Sequence, residues 1–226
     1  MAQPRKHQPF EHRLPDEFPE RPPPDHPWSH LGHTRSRVAL RHAFLAPDGQ
    51  VETSLPGWER ARLTQLISPQ MGARHSHFLA RLEPGGSAGA PLPGVERFVF
   101  VLAGALAVAV GGDERTLGSG GYAYLPAGVA HALEAPETCA ATRLSIFERR
   151  YLALPGCEAP AAVFGTLEER AGEPFLGDER VVARKLLPDA PSFDLAVNTM
   201  SFAPGASLPF AETHFMEHGM LMLAGA

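Results

Sequence analysis

From Val38 onward the chain is a succession of short apolar runs cut by glycine or proline. ALRHAFLAP begins at Ala39, ARLTQLISP at Ala61, HFLARLEPGG at His77, RFVFVLAGALAVAV at Arg97, YAYLPAG at Tyr122 and TRLSIFERRYLAL at Thr142. Runs of this length, bounded by turn residues and rich in Val, Phe and Tyr, predict strands, so the expected fold is all-β. One short helix is predicted in GTLEERAG, residues 165–172, as part of a connection between barrels. Residues 1–33 break the pattern, with eight of the 23 prolines, five of the 11 histidines and almost no aliphatic side chains. Such a stretch cannot bury enough apolar surface to offset its ordering entropy, which predicts a tail, ordered at most where Phe18 or Trp28 packs on a neighbour.

The pattern also repeats. Pro84-Gly85-Gly86-Ser87 corresponds to Pro204-Gly205-Ala206-Ser207, and Leu102-Ala103-Gly104-Ala105 recurs as Leu223-Ala224-Gly225-Ala226 with one residue inserted between the two anchors. Two similar barrels in tandem are expected, the first over 34–157 and the second over 158–226. Repeat one runs on past its LAGA to about Glu148. By the equal-unit logic of repeats the second barrel is incomplete by roughly 40 residues, and the expectation is that the natural protein is longer.

Composition narrows the class of partner. The 226 residues are 44% hydrophobic, enough for one large or two small cores, and the formal charge is -5 with basic residues scattered. That argues against nucleic acid. Cys139 and Cys157 form no CxxC and read as structural thiols. No secretory signal pattern and no run long and apolar enough to span a bilayer is visible, so no membrane partner and a cytoplasmic location are expected.

Candidate chemistry lies in two places. Gly120, Pro126, Gly128 and His131 follow the spacing G-x5-P-x-G-x2-H. This resembles the second motif of the cupin barrel, a double-stranded β-helix of jelly-roll type, which continues x3-N; here Ala135 replaces the asparagine. The glycines and proline make a tight turn that aims the histidine into the barrel. In metal-binding cupins that histidine is the last ligand. The first motif ends in a glycine seven residues after the third ligand, and Gly104 fits. Arg97, Pro93 and Pro91 then stand at the ligand positions, and none is a neutral donor, so the first barrel keeps the shape and lacks the site. His131 is expected to be structural or to line a pocket. His75 and His77 share a strand face but have no third donor nearby, and are expected to hydrogen-bond at a strand or subunit interface.

The second repeat carries donors at the matching places: Glu212 opposite Pro91, His214 opposite Pro93 and His218 opposite Arg97, with Gly225 closing the motif. Glu212 and His214 are two apart, so an extended strand points both to one face, and a turn returns His218. One carboxylate and two imidazoles suit Mn, Fe or Zn better than calcium. Glu217 alternates outward and is expected at a surface or interface, while Phe215, Met216, Met220 and Met222 are expected to line core or pocket.

Beyond the barrel motifs, TRSRVALRHAFLAPDGQV (from Thr34), LPGWERARLTQLISPQMGARHSHFLARL (from Leu55) and ETHFMEHGMLMLAGA (from Glu212) resemble the bicupin (S)-ureidoglycine aminohydrolases. The resemblance implies an empty first cupin, a second cupin that binds Mn2+, and hydrolysis of a small-molecule substrate, (S)-ureidoglycine, to (S)-ureidoglycolate with release of ammonia in allantoin breakdown. It implies Glu212, His214 and His218 as three of four metal ligands, the fourth being a glutamine expected after Ala226. Glu212 can also touch the substrate amine; other catalytic residues are left unassigned. A homo-oligomer is expected, since such barrels usually pair through exposed strands. The same barrel hosts other chemistries, so an iron dioxygenase, an isomerase and a non-catalytic small-molecule-binding module stay open.

Overall fold

A computed structural model describes residues 35–39, 41–210 and 216–225. The predicted tail and two of the predicted ligands, Glu212 and His214, lie outside the described residues. Among the described residues there is no α-helix, and the strand-rich pattern predicted from the sequence is what the chain forms.

β1 (Arg37–Val38) and β2 (Ala43–Phe44) make a small hairpin. Ten strands then form one antiparallel sheet: β3 (Glu52–Thr53), β4 (Glu59–Ile67), β5 (His75–Ser87), β6 (Val95–Ala103), β7 (Ala105–Val110), β8 (Asp113–Gly118), β9 (Gly121–Leu125), β10 (His131–Glu134), β11 (Thr142–Arg150) and β12 (Val163–Thr166). The order β12-β9-β6-β11-β5-β10-β7-β8, with β4 laid on β5 and β3 on β4, folds the sheet over into a nearly closed barrel. β13 (Glu173–Phe175), β14 (Asp178–Lys185) and β15 (Asn198–Phe202) form a separate three-stranded antiparallel sheet.

The continuous apolar run of β6 follows from burial on both faces. Val99 and Val101 point into the barrel and join Leu63, Phe78, Leu82, Leu106, Val108, Leu125, Leu133, Leu144 and Ile146 in its core. Phe98 and Phe100 point outward and, with Tyr122 and Tyr124 of β9, meet Leu186, Leu187, Phe193, Leu195 and Val197 in a second apolar cluster. That second cluster fastens the segment leading into β15 to the outer wall of the barrel. Each fully buried aliphatic or aromatic side chain there contributes roughly 1.5–3 kcal/mol.

The repeat is visible in the backbone. Gly85 and Gly205 both take positive φ, +66° and +77°, as do Gly104 and Gly225, +84° and +92°. β12 lies beyond residue 157, yet it pairs with β9 of the first barrel through Val163↔Tyr124 to Thr166↔Gly121. The helix expected in GTLEERAG does not form. Thr166 closes β12, and a reciprocal box follows in which Glu169 N donates to Thr166 Oγ1 and Thr166 N donates to Glu169 Oε2, both at 3.3 Å. This resembles a helix start, but Gly172 and Pro174 follow and the next strand begins at Glu173, so the turn has nothing to propagate into.

Candidate functional site

The first barrel brings its four motif positions together. Pro91, Pro93 and His131 line one cleft of about 370 Å³, together with Leu92, Val95 and Val129. Arg97 stands behind it, 1% exposed. Its Nη1 lies 3.3 Å from His131 Nε2, its Nε donates to Glu148 Oε1 at 2.7 Å, and its Nη2 donates to the Gly89 carbonyl at 2.8 Å. Arg97 Cζ also sits 5.7 Å from the centre of the Trp58 ring.

Strand register produces this arrangement. Arg97 pairs with Glu148 across β6 and β11, and both point into the barrel; the next pair, Glu96 with Arg149, points out. His131 Nδ1 donates to the Val129 carbonyl at 3.1 Å, which leaves Nε2 as the acceptor facing the guanidinium. Burial, and then the Arg97 charge, hold the His131 pKa below its ordinary value. Desolvation pulls Arg97 down as well, against the upward pull of Glu148. A metal does not fit here, because the imidazole lone pair is taken by a fixed side-chain cation. His131 is the structural, pocket-lining residue the motif alignment predicts. Ala135, at the motif's altered last position, is fully buried. Its N–H and C=O bond to Gly86 O and Gly85 N, so the second motif is tied to the Pro84–Ser87 turn.

The two strand histidines also find structural roles. His77 is fully buried, hydrogen-bonds Ser145 Oγ at 3.0 Å and stacks on Phe147 with ring centres 3.9 Å apart. Burial, with His75 beside it, pushes the His77 pKa down to about 4. His75 faces Glu217, Nδ1 to Oε2 at 3.5 Å.

Of the predicted metal ligands, His218 lies within the described residues, in a stretch without ladder pairing. Its neighbours hold that stretch on the first barrel. Glu217 accepts the Arg74 N–H at 2.6 Å and the Arg74 Nε–H at 3.3 Å. Desolvation would raise the Glu217 pKa, but the Arg74 N–H and guanidinium and His75 hold it below the usual carboxylate range. Glu217 lies at the surface, as expected, and there binds Arg74 and His75 of the first barrel. The methionines do not follow expectation: Met216, Met220 and Met222 are exposed. Without a paired ladder, alternation gives them no inner face to occupy. Among the described residues no three His, Cys, Asp or Glu side chains converge as a metal site, and no helix is long and apolar enough to cross a membrane. For the second repeat the fit to a metal rests on donor chemistry: a carboxylate and two imidazoles suit a divalent transition ion.

Sequence reasoning missed Arg97 as an occupant of the first site and the Glu96–Arg149 pair behind it. A charged doublet, Glu96-Arg97, opening an otherwise apolar strand was the available signal.

Residues 78–147 match the cupin domain family model, which points to a divalent metal. The chain is 37% identical over 199 residues to a rice protein named probable (S)-ureidoglycine aminohydrolase, covering 86% of this chain and 62% of that one. It is 32% identical over 195 residues to the (S)-ureidoglycine aminohydrolase of Escherichia coli, covering 84% and 74%. The crystal structure of the E. coli protein Ylba superimposes with a TM-score of 0.70 at 30% identity, over 80% of this chain and 72% of that one. The chain thus spans less than two thirds of the rice relative's length.

Proposed function

The chain belongs to the (S)-ureidoglycine aminohydrolase family of cupins, and from that premise we propose that it hydrolyses (S)-ureidoglycine to (S)-ureidoglycolate with release of ammonia. In this reaction water supplies the oxygen that replaces the amine on the carbon bearing the carboxylate and the ureido group, and the amine departs as ammonia. About one-third identity to the E. coli relative along most of the chain carries the reading. The donor set Glu212, His214 and His218 supports it.

Those three residues would hold a divalent ion, Mn2+ in this proposal, which supplies a Lewis acid that needs no redox change. The first barrel, over 34–157, acts as scaffold, since Arg97 and Glu148 fill the place of its ion. In this proposal residues 158–226 open the second cupin, with β12 lent to the sheet of the first barrel. We propose a homo-oligomer that works in the cytoplasm; exposed Val38 and Phe44 on the β1–β2 hairpin support association through that edge.

The test is elemental analysis of the full-length protein together with an ammonia assay on freshly generated ureidoglycine, before and after chelation and Mn2+ return. Ammonia release that follows metal content is expected. A protein that binds the ion and releases no ammonia overturns the substrate, and oxygen uptake with strict iron dependence would place it among the dioxygenases instead. Light scattering during gel filtration reads the oligomer.

A further inference from the structure

On the outer wall of the first barrel, behind Arg97, lies a carboxyl pair that the proposed reaction does not use. Glu96 is 0% exposed. Its Oε2 accepts the Tyr124 hydroxyl at 2.5 Å. Its Oε1 and Asp194 Oδ1 are both buried, and neither meets an N–H or O–H donor among the described residues; the two carboxyls are within hydrogen-bonding reach of each other. Two ionised carboxylates cannot share such a place, so one oxygen must carry a proton.

The surroundings say which. Asp194 Oδ2 accepts the Leu152 N–H at 2.9 Å and lies 3.5 Å from Arg149 Nη2, while the Asp194 carbonyl accepts Arg149 Nη1–H at 2.7 Å. Asp194 is thereby supplied with donors, whereas Glu96 has the Tyr124 hydroxyl alone. Glu96 then holds the proton and donates Oε1–H to Asp194 Oδ1. The groups facing the pair are Tyr124 from β9, Arg149 from β11, and Tyr151 just after β11 with Cys157 beside it. Tyr151 hydroxyl donates to the Ser192 carbonyl at 3.1 Å, and Phe193 packs edge-on against Tyr124. The contacts made by Ser192, Phe193 and Asp194 join the barrel and its β11 extension to the segment that leads into β15.

We propose that a single proton held between Glu96 and Asp194 latches residues 186–197 to the first barrel, and that its loss loosens the junction between the two repeats. Burial, followed by the hydrogen bond to Asp194, raises the Glu96 pKa to about 8, against the downward pull of Tyr124 and Arg149. With an unfolded value near 4.5, the folded state holds the extra proton between these limits. The stability it contributes is complete below about 4.5 and is lost as pH rises through about 8. The latch therefore opens on the alkaline side.

Amide hydrogen exchange on the full-length protein from pH 6.5 to 9, corrected for intrinsic exchange, tests this. Protection at Leu186 and Phe193, whose N–H groups bond Val197 O and Ala190 O, should fall by up to about tenfold per pH unit as pH rises from 6.5 towards the Glu96 value of about 8, and level off above it. The barrel strands should keep theirs. Glu96→Gln replaces the O–H donor with an N–H donor that does not titrate, and should hold the segment protected throughout. A flat wild-type profile, a wild-type loss shared equally by the barrel strands, or a variant with the wild-type slope each overturns the latch. If Glu96→Gln does not fold, the wild-type profile decides, along with the infrared carbonyl band of a buried protonated carboxyl. That band should vanish as pH rises through about 8, where the fall in protection levels off, and its absence at pH 6.5 overturns the proposal.

Discussion

Arg97 Nη1 lies 3.3 Å from His131 Nε2, and this contact places a permanent side-chain cation where the motif spacing of a metal-binding barrel would set its ion. The two residues are 34 apart in sequence, and strand pairing between β6 and β9 plus the turn at Gly128 brings them together. Glu148 completes the exchange, because a buried guanidinium needs a carboxylate as surely as a buried ion needs ligands. The barrel keeps a charged centre that no chelator can remove.

Replacing Arg97 by Met should cost about 3 kcal/mol in urea unfolding, because Glu148 loses its partner while the Gly89 carbonyl loses a donor. Glu148 retains 20% side-chain exposure, so water softens the loss relative to a fully buried ion. Adding Glu148→Gln to Arg97→Met should recover part of that loss, whereas Glu148→Gln alone should destabilise. Additive losses in the double variant would mean that the pair is not coupled.

The strands of the first barrel were legible because turn residues bound each run, but that β6 is covered on both faces emerges only from the path of residues 186–197 over its outer side. The repeat was legible through its glycines, since Gly85 and Gly205, like Gly104 and Gly225, share a backbone that side chains resist. The absent first-barrel ligands could be read from the spacing of the cupin motifs that the chain resembles. What replaces them could not, since Arg97 finds Glu148 and Gly89 only through sheet register. Glu96 and Asp194 are 98 residues apart, and their meeting depends on the path of the segment after Leu187. GTLEERAG misled because a capping box is local, whereas the strand pairing of Thr166 and the breakers at Gly172 and Pro174 override it.

Metal content should separate the two repeats. Glu212→Ala or His218→Ala in the full-length protein should lower bound Mn2+ to background by elemental analysis, and His131→Ala should leave it unchanged. His131 Nε2 already faces a guanidinium, so its removal takes nothing from a metal. Equal loss in all three variants would assign the ion to the wrong barrel.

Gly104→Ala and Gly225→Ala should differ although the residues are repeat-equivalent. Both sit at positive φ and share a backbone strain of about 1–2 kcal/mol for a side chain. At Gly104 the added Cβ would also lie 2.9 Å from Thr142 Cα, whereas at Gly225 it meets nothing within 4 Å. Thermal unfolding should therefore fall several degrees further for Gly104→Ala, roughly 4 °C or more for each extra kcal/mol in a domain of about 100 residues. Equal shifts would mean that β11 yields at Thr142 without penalty.

The acid limb of stability should report His77. Its folded pKa is about 4 against 6.5 unfolded, so between these values the unfolded chain binds the extra proton and stability falls as pH drops. The full effect is about 3 kcal/mol, present above pH 6.5 and gone below about 4. Glu96 acts in the opposite sense from about 4.5 upward, so the two partly cancel below pH 6.5 and Glu96 is unopposed above it. His77→Gln keeps a hydrogen-bonding partner for Ser145 and removes the titration. Urea unfolding at half-unit steps from pH 4.5 to 7 should then show a flatter acid limb in the variant, with the His131 contribution still present. Parallel curves for wild type and His77→Gln would mean that the buried imidazole does not govern acid sensitivity.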